Sequence, residues 1–277
     1  MSASVDESRS PSGLAVTYAA HPDAAHVGVL TLNRPDNRNS MTPELLDAFA
    51  QASAAALSAS RTGALRCLIV TGTGSCFSSG ADFKSNIQRD GDQRAANERS
   101  FAMYEPFLSL LELPVPVIGA LNGHAVGGGF GLALVCDLRI GAVGAKYGAN
   151  FVVLGLAPGM AISYLLPRLI GLPRANELLL TGRLVDGGEA ERLGILNRAV
   201  AAGEVQAAAL ELARDIAGNA PIAIRATKRA IQRGLELQIR DAARLEAFAQ
   251  AETVATDDAR EGIAALLAKR APVFTGR

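Results

Sequence analysis

Two glycine-rich turns limit what this chain can fold into more than any other feature. Each follows a short continuous apolar run, and each leads into helix-forming sequence. The first is Gly72-Thr73-Gly74-Ser75-Cys76-Phe77-Ser78-Ser79-Gly80-Ala81-Asp82-Phe83-Lys84, after the run Cys67–Thr71. The second is Gly127-Gly128-Gly129-Phe130-Gly131, after Val115–Leu121 and Asn122-Gly123-His124-Ala125-Val126. Such apolar runs fit strands buried on both faces. A glycine turn that opens a helix leaves backbone N–H groups at the helix N-terminus, where the dipole favours negative charge. Missing side chains also let a ligand approach the backbone closely.

Several ligand chemistries are compatible with glycine turns, and the spacing removes some of them. A dinucleotide site needs G-x-G-x-x-G; the first turn has phenylalanine at the third position and the second has leucine. A phosphate-binding P-loop needs Gly-Lys-Ser/Thr, which is absent. An oxyanion hole needs only two converging N–H donors, which two such turns can supply. The glycines also fit a purely architectural role, close strand–helix packing. Spacing alone leaves these last two open.

Along the chain, residues 1–12 read as a disordered tail ending at Pro11-Ser12-Gly13. Residues 13–203 alternate strand, turn and helix, which predicts an α/β core. Leu14–Ala19 and Val27–Leu32 read as strands, with turn formers at Asn33–Ser40. Thr42-Pro43 is an N-cap with proline at the first helical position. Leu45, Phe49, Ala52 and Ala56 then form one apolar helix face. Helices are expected from near Ala81, over Asn97–Leu111 with a kink at Pro106, and over Phe130–Cys136. Glu204–Lys269 is alanine-rich and carries no strand candidate, so a helical C-terminal region is expected over 204–277.

The charge balance bears on partners. With 27 Lys+Arg against 27 Asp+Glu, the chain lacks the basic excess of a nucleic-acid binder. No apolar stretch approaches the roughly 20 residues of a spanning helix, so no membrane partner is expected. The start MSASVDESRS has neither a basic n-region nor an apolar h-region, so no secretory signal is expected. Cys67, Cys76 and Cys136 are odd in number and widely spaced, which points to a reducing, cytoplasmic compartment. His21, His26 and His124 make no metal-ligand spacing, so no metal site is expected.

The ordered motifs resemble the crotonase family, the enoyl-CoA hydratase/isomerase superfamily. The resemblance rests on Leu32-Asn33-Arg34-Pro35, Phe77–Lys84, Asn122–Gly129, Cys136-Asp137, Gly155-Leu156-Ala157-Pro158-Gly159, Thr181-Gly182-Arg183, Glu261-Gly262 and Lys269–Phe274. It runs from about Leu14 to the C-terminus. It implies a spiral of ββα units followed by a helical trimerisation region, assembled as a homotrimer or a dimer of trimers. It implies an acyl-CoA substrate, with coenzyme A as part of the substrate and no tightly bound cofactor. The thioester carbonyl would be held by the N–H groups of Ala81 and Gly128. Arg38, Ser79, Asp82, Phe83, Lys84, Tyr147, Asn150, Lys269 and Phe274 are the implied substrate- or CoA-binding positions. Asp82 also fits a helix-start carboxylate bonding local N–H groups.

At two positions the sequence departs from that family. Hydratases of the family carry one glutamate three residues after the oxyanion glycine and another in an F-G-x-P-E-like stretch. Here the first position is Gly131, and the second, in Tyr147-Gly148-Ala149-Asn150-Phe151, is Phe151. Neither transfers a proton, so standard hydratase activity is not expected. The resemblance implies an enzyme, a CoA-thioester lyase or isomerase: a weak or unusual hydratase/isomerase, or another CoA-thioester reaction (decarboxylation, C–C cleavage, hydrolysis), with non-catalytic acyl-CoA binding as the alternative. His124, Tyr104, Glu98, Glu105, Tyr147 and Asn150 are the polar side chains that stand near enough in sequence to substitute.

Overall fold

The structure is a computed structural model that describes residues 13–82, 95–232 and 235–275. The tail 1–12, most of the helix expected after Ala81, and the candidate residues Phe83 and Lys84 lie outside the described residues.

The chain opens with an antiparallel pair, β1 (Val16–Ala20) and β2 (Val27–Leu32). Helix α1 (Pro43–Arg61) follows, capped by Thr42, whose Oγ1 accepts the Leu45 N–H at 3.2 Å. Its apolar stripe of Leu45, Phe49, Ala52 and Ala56 is buried. Phe49 meets Phe107 edge-on with ring centroids 4.7 Å apart, a favourable aromatic geometry.

Three strand–strand–helix turns come next. They are β3 (Cys67–Gly72), β4 (Cys76–Ser78) and α2 (Ala96–Leu108); then β5 (Val117–Leu121), β6 (His124–Val126) and α3 (Gly128–Val135); then β7 (Leu138–Ala142), β8 (Lys146–Gly148) and α4 (Ile162–Ile170). The first strands of the turns lie side by side and parallel, β3 beside β5 beside β7. The second strands do the same, β4 beside β6 beside β8. The chain is therefore a spiral of ββα units, as the family resemblance implied. Because β3 and β5 are interior strands, every residue in them is buried, which explains their unbroken apolar runs. Helix α2 keeps Pro106 inside it and tightens into a 3-10 turn at Ser109–Glu112. The missing proline N–H removes one rung of the ladder close to that point.

The remaining elements are α5 (Leu172–Thr181), β9 (Val185–Asp186), α6 (Gly187–Leu193), β10 (Arg198–Val200), α7 (Val205–Gly218), α8 (Pro221–Gln232), α9 (Leu235–Val254) and α10 (Asp257–Leu267). Strand order is β1-β2-β3-β5-β7-β10 in one sheet and β4-β6-β8-β9 in the other. No strand of the described residues lies beyond Val200. The composition change near residue 203 is nevertheless not a packing boundary. Val205, Ala208, Ala209, Ala213 and Ala217 of α7 are buried in the same core as β3, β5 and β7. Among the described residues, no helix is long and apolar enough to cross a membrane.

Candidate active site

The first glycine turn is gripped by the loop after β2. Asn39 is fully buried with φ 52°, a left-handed conformation that asparagine tolerates better than most residues. Its Nδ2 donates to Thr73 O at 3.0 Å and Cys76 O at 2.8 Å, and its Oδ1 accepts the Arg34 N–H at 2.8 Å. Ser78 Oγ donates to Asn39 O at 2.8 Å and accepts the Gly80 N–H at 3.3 Å. Met41 N–H donates to Gly80 O at 2.8 Å, and Met41 bridges Ala81 in parallel. Ser79 N–H donates to Arg38 O at 3.1 Å, so Arg38 and Ser79 do come together, through backbone.

The second turn is set by Gly127, whose φ of 57° a side chain would strain. Its N–H donates to Gly148 O at 3.0 Å, and α3 starts at the next residue. The two turns then touch backbone to backbone. A Cβ on Gly80 would stand 2.7 Å from Val126 O and 2.9 Å from Gly128 N, so only glycine permits the approach. Neither the Ala81 N–H nor the Gly128 N–H finds a hydrogen-bond acceptor among the described residues. The Gly128 N–H is one of the N-terminal donors of α3, which have no partner within the helix.

Two apolar side chains, Met41 and Phe151, and the amide of Asn150 stand at this junction. Met41 Sδ lies over Gly128, in the space its side chain would fill. Phe151 begins a 3-10 turn, Phe151–Leu154. Its ring tip is 3.9 Å, and Asn150 Oδ1 3.7 Å, from where a Gly127 Cβ would be. Asn150 and Phe151 thus stand beside the second turn. Gly131 is buried in the first turn of α3 against Met160. Asp82, at the end of the first described stretch, is half-buried.

Other candidates are placed elsewhere. Tyr147 corrects the expectation of a substrate contact: it is fully buried, and its hydroxyl donates to Ala142 O at 2.9 Å. Burial pushes its pKa up, so it holds its proton in the core. His124 is exposed on β6, and its Nδ1 accepts the Lys146 N–H at 2.9 Å. Glu98 accepts the Ala95 N–H, and Glu105 pairs with Arg240 at 2.9 Å. Lys269 and Phe274 are exposed near the C-terminus, where Glu261 accepts hydrogen bonds from Arg270 and from the Val273 N–H. Helix α10 packs on the 3-10 turn that carries Phe151, through Ala259 against Leu154 and Leu156.

A buried polar cluster lies behind the second turn, unannounced by any local motif. Glu246 of α9 is 5% exposed, and its Oε1 accepts the Ser163 N–H at 2.7 Å as well as the Ser163 hydroxyl. Its Oε2 has no partner among the described residues. Burial raises its pKa above the ordinary carboxylate range, against the pull of those donors. Tyr104 donates to Gln250 Oε1, and Gln250 Nε2 donates to Ala157 O at 3.2 Å. Burial, and next the charge of Glu246, raise the Tyr104 pKa, so this hydroxyl is no base at neutral pH.

The family description "Enoyl-CoA hydratase/isomerase" matches residues 23–277. The chain belongs to the enoyl-CoA hydratase/isomerase family, within the crotonase superfamily. It is similar to enoyl-CoA hydratase domain-containing protein 2, mitochondrial, of Mus musculus: 38% identical over 258 residues, 90% of this chain and 84% of that protein. A crystal structure of an enoyl-CoA hydratase/isomerase from Pseudoalteromonas atlantica T6c superposes with TM-score 0.82 at 28% identity, over 94% of this chain and 100% of that one. The enoyl-CoA hydratase of Bacillus anthracis gives TM-score 0.73 at 32% identity, over 95% of this chain and 100% of that one.

Within that family fold, two N–H groups without an acceptor among the described residues, beside a glycine–glycine contact, suit an oxygen that gains negative charge. Such donors do most where water is excluded, and Met41 and Phe151 supply apolar cover. Cys67, Cys76 and Cys136 are buried, and burial pushes their thiols up to about 12, 11 and 12. None is a nucleophile in this state.

Proposed function

We propose that the protein binds an acyl-CoA thioester, with the thioester carbonyl accepting the N–H groups of Ala81 and Gly128. The observation that supports this is the close backbone approach of Gly80 to Gly128: the Ala81 N–H follows Gly80 in the chain, the Gly128 N–H opens α3, and neither meets an acceptor among the described residues. An enolate or tetrahedral oxyanion formed at that carbonyl gains roughly 10²–10³ in rate from each such donor. Water addition to an enoyl thioester also needs a base for the water and an acid for the α-carbon. Each positioned group of that kind contributes roughly 10²–10⁴. Gly131 and Phe151 supply neither, so the reaction is a CoA-thioester conversion other than ordinary hydration.

Two measurements test this. Calorimetry with butyryl-CoA reads binding, and a spectrophotometric assay with crotonyl-CoA reads hydration. Binding without hydration at ordinary hydratase rates is expected. Failure to bind butyryl-CoA would overturn the ligand, and rapid hydration would overturn the argument from residues 131 and 151.

We extend the reading to assembly. Ile222 and Ile231 of α8 and Leu245 and Phe248 of α9 are largely exposed, at 75%, 69%, 71% and 55%. Exposed large apolar side chains on two helices of the C-terminal region fit an interface between copies. A homotrimer or a pair of trimers is expected by light scattering on the eluting peak; a monomer at micromolar concentration would refute it.

A further inference from the structure

Position 131 lacks a side chain for a reason that lies on another element. Residues 128 and 131 share one face of α3, three positions apart. A side chain at 131 would therefore rise beside the Gly128 N–H. The space is already taken. A Cβ on Gly131 would overlap Met160 Cβ, with Met160 Cγ 2.9 Å and Ile162 Cδ1 3.5 Å away. The collision is with the stem of the methionine, which no rotamer change moves.

Met160 is held there. It has no exposed surface. Met160 and Ala161 both adopt left-handed backbone, with φ 64° and 57°, a conformation unfavourable to any residue with a Cβ. Such strain persists only where surrounding structure enforces it. Here the segment is tied at three points. Gln250 Nε2 holds Ala157 O at 3.2 Å, and Glu246 Oε1 holds Ser163 through N–H and hydroxyl. Between them, Tyr104 Oη fills the space beside Gly159 where a Cβ would be.

We propose that Met160 determines specificity at this site. Pressed against α3 by the Glu246, Tyr104 and Gln250 cluster, it occupies the place from which a side chain at 131 would reach the thioester. It thereby shuts out a carboxylate and the water that a carboxylate would activate. The functional half of this rests on the acyl-CoA reading above; the packing half does not.

A double-mutant cycle separates stem from tip. Gly131→Ala lowers Tm by about 5 °C or more. Adding Met160→Ala, which keeps the Cβ, restores nothing. Adding Met160→Gly, which removes the Cβ and frees φ, restores most of the loss. Tolerance of Gly131→Ala, or equal rescue by Met160→Ala and Met160→Gly, would overturn the packing. For function, Gly131→Glu is combined with Met160→Gly and, separately, with Met160→Ala. The glycine combination is expected to hydrate crotonyl-CoA about 10²-fold faster. Equal rates in variants that both bind butyryl-CoA would overturn the specificity role. Absence of butyryl-CoA binding to the unaltered protein would instead sink the acyl-CoA reading, and the Tm cycle would still decide the packing.

Discussion

Lys228 Nζ lies 2.7 Å from Asp137 Oδ2 and 2.8 Å from Val115 O, so one lysine of α8 ties that helix to the strands of the spiral. Asp137 also accepts the Val117 N–H at 2.7 Å and Gln232 Nε2 at 2.6 Å. The Cys136-Asp137 motif is thus a joint between the helical region and the sheet. Removing one partner of a buried pair leaves the other charge uncompensated, at a cost of about 3–5 kcal/mol. The Asp137 side chain is 21% exposed, so we expect less, about 2–3 kcal/mol, for Lys228→Met. Denaturant titration of Lys228→Met, Asp137→Asn and the double variant measures the coupling. Strictly additive losses would mean that the two residues do not act together.

Gly80 is the sharpest test of the site itself. Its φ is 79°, and a methyl there would push against Val126 O and Gly128 N. Gly80→Ala must part the two turns or twist them. We expect at least about 10²-fold loss of CoA-thioester turnover, the size of one lost oxyanion donor. Gly63, also at positive φ but with nothing within 4 Å of its would-be Cβ, is the control. Gly63→Ala is expected to keep turnover. If the two variants lose turnover alike, backbone strain anywhere suffices and the junction is not special.

Asn39 holds the first turn with two side-chain hydrogen bonds, is fixed in its own loop by a third from the Arg34 N–H, and has a left-handed backbone. An unsatisfied buried polar group costs about 1–3 kcal/mol. Asn39→Ala orphans Thr73 O, Cys76 O and the Arg34 N–H together. We expect a loss of about 2–4 kcal/mol, with acyl-CoA affinity falling because Ser78 and Gly80 lose their support. Asn39→Asp keeps one acceptor and should lose less. A loss below about 1 kcal/mol for Asn39→Ala would show that the loop does not hold the turn.

What could be read in the sequence was local. The apolar runs of β3 and β5 showed as buried strands because both faces of an interior strand are dry. The glycine turns showed as possible anion sites because φ and missing Cβ atoms are written in single letters. Tyr147 was misplaced because its partner, Ala142 O, is a backbone atom that no side-chain pattern encodes. Met160 and Glu246 gave no signal at all. A left-handed turn without glycine is invisible to turn chemistry. Eighty-three residues separate Ser163 from Glu246, the carboxylate that fixes it. The boundary near residue 203 was compositional, since the alanines that mark it are small in order to lie against the sheet.

Glu246 gives a pH test with a definite sign. Burial raises its folded-state pKa from the ordinary 4.5, so the native chain holds that proton more tightly than the unfolded chain. The resulting stabilisation is complete below about pH 4.5 and is lost as pH rises through the folded-state pKa. Between the two values the slope is about 1.4 kcal/mol per pH unit. Glu246→Gln does not titrate and keeps a carbonyl acceptor for Ser163. The stability of the unaltered protein relative to Glu246→Gln should therefore fall as pH rises above 4.5. Denaturant titrations of both proteins at several pH values from 4.5 to 8 measure this. A constant difference, or one that grows with pH, would mean that the Glu246 carboxylate is at ease charged, and that its Oε2 is better solvated than its burial indicates.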